Sequence, residues 1–269
     1  MKVTHDSLTH AIEIAVEDLL DFGEPVNTTS WQGQSDPRFA TIEITNFSFI
    51  CSIPSEITEL QKQIGPNLPW ADHHFEERIS RIPYNPPPSH KEWPFWRPSS
   101  EETKEVGDVK FSHTYPERYW PPAKPGIRYA WGDLDDVVHL LLNDPLTRQA
   151  YLPIFFPEDT GAGATPIGYT PRRVPCSLGY GFLCRENKLH IFYDIRSCDI
   201  LRHFQDDIYL TCRLLLWVLG NLRFRTSRED NKFWWGVEPG NLSMRIYSLH
   251  CFEADIPTII YRRKIGRVI

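Results

Sequence analysis

Positive charge is in short supply: 29 Lys and Arg stand against 35 Asp and Glu, a formal net charge of -6. That balance argues against non-specific binding to a nucleic-acid polymer, which needs a basic surface. It leaves room for a local arginine pocket around one small phosphate. Cysteine is sparse as well. The six cysteines (51, 176, 184, 198, 212 and 251) are too scattered for a disulfide framework, and no CxxC pair offers a structural zinc site. Long hydrophobic runs are missing. The longest, "LLLWVLG", falls far short of the ~20 apolar residues of a membrane span. The amino-terminal "MKVTHDSLTHAIEIAVEDLL" is amphipathic, carries four acids and lacks the apolar core of a signal peptide. Together these absences predict a reducing, cytoplasmic setting, with no membrane and no nucleic-acid polymer as partner. No internal repeat is visible.

What is present reads as one soluble unit. A hydrophobic content of 41% and a charged content of 24% suit an ordinary globular protein, and 269 residues can bury a substantial core. Apolar spacing predicts a helix over residues 4–22, capped by Thr4 or Asp6. "RFATIEITNFSFICSI" alternates and is rich in β-branched residues, predicting a strand from about Ala40 to Ile53. Residues 83–125 hold many of the 23 prolines together with several tryptophans, and are expected to form an ordered, loop-rich insert. A helix follows from about Leu134 to Asn143, stopped by Asp144-Pro145. "AYLPIFF" reads as a strand, and "SLGYGFLCRENKLHIFYDIRS" as a hairpin turned at Glu186-Asn187. Residues 208–220 read as a buried helix ended by Gly220, with "MRIYSLHCFEA" and "TIIYRRKIG" as late strands. Interleaved strands and helices without regular βαβ spacing imply an α/β (α+β) fold: a single domain over residues 1–269, on a large twisted mixed sheet with flanking helices.

Three features in the middle of the chain carry chemistry. Arg148 follows "NDPLT", Cys176 follows "RRVP", and Arg196-Ser197 follow a predicted strand. A cysteine fixed behind a proline can act as a nucleophile if cationic neighbours favour its thiolate. Two arginines and a serine make a bidentate cradle for phosphate. Singly, each is weak: most cysteines are structural and most arginines lie on the surface.

Their order and spacing, taken together, resemble the thymidylate synthase family. That family's pattern is Asp-Pro-x-Ser/Thr-Arg at a helix end, Pro-Cys before a strand, and Arg-Ser-x-Asp twenty residues past the cysteine, followed by a core helix. Here these are "NDPLTR" (143–148), "PCSLGYGF" (175–182) and "RSCD" (196–199). "MRIYSLH" (244–250) is similar to the segment that holds the sugar, and "RVI" to the apolar carboxy terminus that closes over the site. The resemblance runs from about Tyr115 to Ile269.

It implies that Cys176 adds to C6 of a pyrimidine nucleotide and that C5 then takes the one-carbon unit of 5,10-methylenetetrahydrofolate. Arg196 and Ser197 would bind the 5'-phosphate, and Arg148 would reach the phosphate of the partner subunit in a homodimer. Asp199 would meet the folate pterin. Tyr247 and Arg245 fall on the sugar-binding positions, with Arg245 replacing the usual histidine. Tyr115 would help remove the C5 proton. "DHHFEERISRIPYNPP" offers Glu76 and Glu77 as the general acid/base, slightly favouring Glu77. The adjacent His73 and His74 are read as loop or surface residues and not as metal ligands.

The departures are informative. Gln149 replaces a second arginine, Ser177 a histidine, and Ile195 a glutamine. Above all, "HFQDD" places Asp207, eight residues past Asp199, where the family keeps the asparagine that reads the pyrimidine edge. An amide matches the N3 donor and O4 acceptor of uracil. A carboxylic acid matches cytosine, donating to N3 and accepting from the 4-amino group. The resemblance therefore points to CMP or dCMP and to cytidylate 5-hydroxymethylases. C5 methylation of dCMP, C5 methylation of dUMP with Asp207 slipped by one register beside Asp206, and a non-catalytic nucleotide-binding homologue are the alternatives. Asp207 could also be an ordinary acid at a helix start, favoured by the helix dipole.

Overall fold

The computed structural model describes residues 4–27, 30–31, 34–35, 39–96, 111, 113–121, 133–160, 174–226 and 232–266. Arg172 and Arg173, most of the Pro/Trp-rich insert between 97 and 125, and the carboxy-terminal "RVI" lie outside the described residues.

Strand β1 (Thr4–His5) leads into helix α1 (Leu8–Phe22). Thr4 pairs with β5 and so does not cap; the cap is Ser7, whose side chain accepts from the His10 backbone N–H. The helix buries Leu8, Ala11, Ile12, Ala15, Val16 and Leu19, a stripe of 3.6 periodicity. After the short strands β2 (Glu24–Val26), β3 (Ser30–Trp31) and β4 (Gln34–Ser35) comes β5 (Thr41–Ser52), within a residue of expectation at each end. Helices α2 (Ile57–Ile64) and α3 (Trp70–Ile79) follow. Of the insert, the described part contains a 3-10 turn over Pro88–Glu92 and α4 (Tyr115–Tyr119), which opens on a Thr114/Glu117 capping box.

Helix α5 (Leu134–Asn143) starts at an Asp133/Asp136 capping box and ends at Asp144, as its proline requires. Then come β6 (Tyr151–Pro153), α6 (Pro157–Thr160), and the hairpin β7 (Ser177–Arg185) and β8 (Lys188–Ile195). Glu186 and Asn187 both adopt positive φ (51° and 56°), the two-residue turn whose twist matches a hairpin. Strand β9 (Cys198–Asp199) passes through a π-helical turn (Ile200–Phe204) into α7 (Gln205–Thr226). The long β10 (Glu238–Phe252) and α8 (Ile256–Lys264) complete the described chain.

The main sheet has eight strands in the order β1-β5-β10-β8-β7-β6, with β2 beside β5 and β9 beside β10. It is mixed: β10 runs antiparallel to β5 and parallel to β8. One face packs on α1 and α7, burying Phe49, Tyr180, Tyr193, Leu242 and Ile246 against Leu214, Leu215 and Val218. The opposite face leaves Tyr151, Phe192 and Tyr247 exposed at 46%, 39% and 43%.

Two expectations are corrected. Helix α7 does not stop at Gly220 but runs on to Thr226, because Leu222 and Thr226 continue its buried stripe. A side chain added at Gly220 would meet nothing within 4 Å, and no left-handed backbone requires glycine there. Gly220→Ala is accordingly expected to stabilise the protein by about 0.5–1 kcal/mol. A urea midpoint that fails to rise would contradict this. "TIIYRRKIG" is not a strand but lies largely in α8, started by Pro257 in the first turn and ended with Arg262, Arg263 and Lys264 near the negative helix end. Its β-branched residues misled because only Ile259 is buried, so no sheet partner holds them extended.

Candidate active site

Cys176 sits at the lip of β7, held from two sides by Arg196. The Arg196 backbone N–H donates to the Cys176 carbonyl at 2.9 Å. Its guanidinium donates to the carbonyls of Pro175 (Nε, 2.9 Å) and Val174 (Nη2, 3.1 Å). The arginine thus fixes the chain that presents the sulfur. Cys176 is half-buried, whereas the other five cysteines are buried. Burial pushes those thiols up, Cys51 to about 11 and Cys251 to about 12, with Cys184, Cys198 and Cys212 raised likewise. Thiols of that kind are poor nucleophiles at neutral pH.

Beneath Cys176 runs a chain of hydroxyls. Tyr115 Oη lies 2.9 Å from Ser177 Oγ, and Ser177 Oγ lies 2.6 Å from Tyr193 Oη. Ser177 is fully buried, and Tyr193 stacks on Tyr180 at 4.6 Å between ring centres. Ser177 is therefore the bridge between two tyrosines. Burial, with the nearby Cys176 and Asp207, raises the Tyr115 phenol, so it stays protonated and can relay hydrogen bonds.

The two neighbouring acids at the start of α7 part company. Asp206 is buried and accepts from the Asn67 backbone N–H (2.9 Å) and from Asn67 Nδ2 (2.7 Å). It ties α7 to the turn before α3. Asp207 turns the other way, 3.7 Å from the Cys198 sulfur and within the electrostatic reach of Tyr115, Tyr180 and Tyr193. Burial raises the Asp207 carboxyl to about 7, with Arg78 opposing the rise and Asp206 adding to it. Such a group exchanges a proton at neutral pH.

Successive helical residues likewise separate Glu76 from Glu77. Glu76 is largely exposed, its oxygen 3.3 Å from Arg213. Glu77 is buried and accepts from the Ser89 backbone N–H (2.5 Å) and Ser89 Oγ (2.7 Å), with His74 Nδ1 at 3.2 Å. Burial opposes the charge of Glu77, but those hydrogen bonds outweigh it and hold the carboxyl below its usual range. Burial, and then Arg78, lower His74 to about 4, so its ring is neutral. His74 stacks on Trp70 (5.0 Å) and points an edge contact at Tyr115 (6.4 Å), linking Glu77 to the hydroxyl chain. His73 lies apart on the surface with Glu92. Among the described residues no group of three His, Cys, Asp or Glu could hold a metal.

The other residues singled out in the sequence lie around this cluster. Asp199 is buried and caps the π-helical turn: Oδ1 accepts from the N–H groups of Leu201 and Arg202 (both 3.0 Å), Oδ2 from Arg202 Nη1 (2.9 Å). Its carboxylate is thus largely committed to the fold. Arg245 and Tyr247 project from the exposed side of β10, with Arg245 Nε bonded to Asn46 (3.1 Å) and its guanidinium 5.1 Å from the Tyr247 ring centre. A bond from the Ser248 N–H to the Arg196 carbonyl (3.2 Å) ties this stretch to the Arg196-Ser197 turn. Arg148 is exposed ahead of the edge strand β6, outside the cluster. Tyr193, Ser89 and Arg78 join the site unannounced, Ser177 was marked only as a replacement, and His74, expected in a loop or on the surface, is instead buried in helix α3. Helical spacing alone could have pointed to the α3 members, since Trp70, His74, Glu77 and Arg78 share one face.

The mixed eight-stranded sheet with its flanking helices is a thymidylate synthase-like fold. One solved structure that the chain is similar to is the thermostable thymidylate synthase A from Bacillus subtilis: TM-score 0.62 and 13% sequence identity, over 96% of this chain and 84% of that one. That likeness shows the fold. No family model and no curated protein matches the chain in sequence.

Proposed function

We propose that the chain is a cytidylate 5-hydroxymethyltransferase, acting on CMP or dCMP through a covalent Cys176–C6 adduct. The observation that carries this reading is the convergence of Cys176, Tyr115 and Asp207 on one buried hydroxyl network, while the neighbouring Asp206 is turned away to Asn67. That Asp207 stands beside Cys198 while Asp206 is bonded to Asn67 supports reading Asp207 as the acid that faces the base.

Asp207 donates its proton to N3 and accepts from the 4-amino group. When the Cys176 thiolate bonds to C6, the ring's π electrons shift onto N3, which takes the Asp207 proton. C4=C5 is left as an enamine and Asp207 as a carboxylate. 5,10-Methylenetetrahydrofolate supplies the one-carbon unit to C5. The C5 proton then passes by way of Tyr115 and a water held by Glu77 and His74 to the ionised Glu77 carboxylate. Loss of that proton lets tetrahydrofolate leave with the C–N electron pair, water adds to the exocyclic carbon left behind, and as the C6–S bond breaks to free the Cys176 thiolate the N3 proton returns to Asp207, giving the hydroxymethyl product.

The folate fits this chain in one respect: a wall of flat rings, with Trp70 on His74 and Trp93 on His203 (4.9 Å), leaves the buried indole N–H groups of Trp70 and Trp93 without partners. Asp199, already capping a turn, keeps at most a spare lone pair for the pterin. Arg196 and Ser197 bind the 5'-phosphate. A second copy packs on the exposed sheet face and supplies Arg148.

Tritium release from 5-tritiated CMP, dCMP and dUMP in the presence of methylenetetrahydrofolate tests the reading. Release from a cytidylate, with a product 30 mass units heavier, is expected. A gain of 14 units means methylation instead. Release only from dUMP sinks the assignment of Asp207, and none from any nucleotide favours a binding protein.

A further inference from the structure

The Pro/Trp-rich insert begins with a contact into the site. Ser89, in the 3-10 turn that follows α3, is 2% exposed and meets both oxygens of the Glu77 carboxylate. Its backbone N–H donates to Oε1 at 2.5 Å, and its hydroxyl donates to Oε2 at 2.7 Å. His74 Nδ1 lies 3.2 Å from the same Oε2. A carboxylate offers about four lone-pair positions, two on each oxygen. Ser89 and His74 take three, so the position left open among the described residues is on Oε1. A water, or an arriving proton, is received there.

Ser89 is delivered by a stiff run of chain. In "NPPPS" (85–89) three successive prolines each fix their own φ. At the other end of the run Asn85 holds α4. Its Oδ1 accepts from the Phe111 N–H (2.7 Å), and its Nδ2 donates to Oε2 of Glu117 (3.0 Å), the capping-box acid of that helix. Thr114 Oγ1 donates to the Tyr84 carbonyl alongside (2.7 Å). One short strut therefore ties together the two helices that carry Glu77 and Tyr115.

We propose that Ser89 is a positioning residue that clamps both oxygens of Glu77 and so keeps it the proton acceptor of this site. The inference rests on the reading of Glu77 as the group that receives the C5 proton. Burial opposes a charge on Glu77, and the donors on His74 and Ser89 reverse that preference. A proton on Oε2 would require both the hydroxyl and the imidazole to turn their bonds round, and the backbone N–H on Oε1 cannot turn at all. The titratable and charged groups about Glu77 are His73, His74 and Arg78 on α3, Tyr115 on α4 and His203 on the π-helical turn. His74 is neutral, and His73 lies on the surface with Glu92. Arg78 holds its guanidinium 4.0 Å from the Tyr115 ring centre and 5.9 Å from that of Tyr119. Among the described residues Ser89 is the one that bonds both carboxylate oxygens.

The test titrates Glu77 in the full chain without nucleotide, by carbon-13 NMR of glutamate-labelled protein, with the resonance assigned by its absence from Glu77→Gln. Wild type is expected to titrate below the ordinary glutamate range. Ser89→Ala keeps the backbone N–H and loses the hydroxyl, and should raise the midpoint by about one pH unit. Ser89→Thr, which keeps a hydroxyl, should bring it back. Ser89→Cys, a weaker donor, serves if the alanine variant does not fold. In Ser89→Ala the acid limb of kcat for tritium release should move up with the midpoint, while KM for cytidylate stays within about two-fold of wild type. A midpoint that stays put or falls in Ser89→Ala overturns the clamp, and a midpoint that rises under an unmoved acid limb overturns Glu77 as the acceptor. Because the titration contains no nucleotide, failure of the clamp is separate from failure of the cytidylate reading, which tritium release decides.

Discussion

Cys176→Ala is expected to abolish tritium release from cytidylate, a loss of at least about 10³-fold, while the nucleotide still binds. The split between chemistry and binding is the informative part. The alanine removes the one sulfur that is half-exposed and held by Arg196 at the strand lip, and nothing else in the network changes. Arg196 keeps its bonds to the Val174 and Pro175 carbonyls, and Ser177 keeps its two tyrosines. The five other cysteines cannot substitute, since they are buried. Isothermal titration with CMP or dCMP should return a dissociation constant within a few-fold of wild type. Residual release above background would place the nucleophile elsewhere, and lost binding would mean that Cys176 shapes the pocket instead of reacting in it.

The second large effect is a change of preference. Asp207→Asn should move selectivity from cytidylate toward uridylate by about 10²-fold or more in kcat/KM, because a dry site that leaves base-edge groups unpaired rejects the wrong base strongly. An amide offers N–H to O4 and C=O to the N3 hydrogen of uracil, the reverse of what cytosine needs. Competition between CMP or dCMP and dUMP in one reaction measures the ratio directly. Unchanged selectivity would show that Asp207 does not face the base.

Much of the frame was legible because local chemistry decided it. Glu186-Asn187 turned the hairpin where positive φ is tolerated, and Asp144-Pro145 ended α5. Legibility failed where a tertiary partner decides. Gly220 reads as a stop, but Leu222 and Thr226 find the core beyond it. The β-branched "TII" reads as strand, yet it lies in α8 with only Ile259 buried. At the site, spacing singled out Cys176, Arg196 and Asp207, but not which of two adjacent acids stands beside Cys198. That choice belongs to Asn67, about 140 residues away in sequence. Arg78 was illegible for the same reason: its meaning lies in the rings of Tyr115 and Tyr119, brought over it by the insert.

The most direct test of the account is trapping the adduct with 5-fluoro cytidylate. Fluorine at C5 cannot leave as the proton does, so a reaction that begins at C6 stalls with the nucleotide bonded to the enzyme. Intact-protein mass spectrometry in the presence of methylenetetrahydrofolate, followed by peptide mapping, should find the nucleotide on Cys176, from 5-fluoro-CMP or 5-fluoro-dCMP and not from 5-fluoro-dUMP. An adduct formed only with the uridylate, one on another residue, or none at all would contradict it.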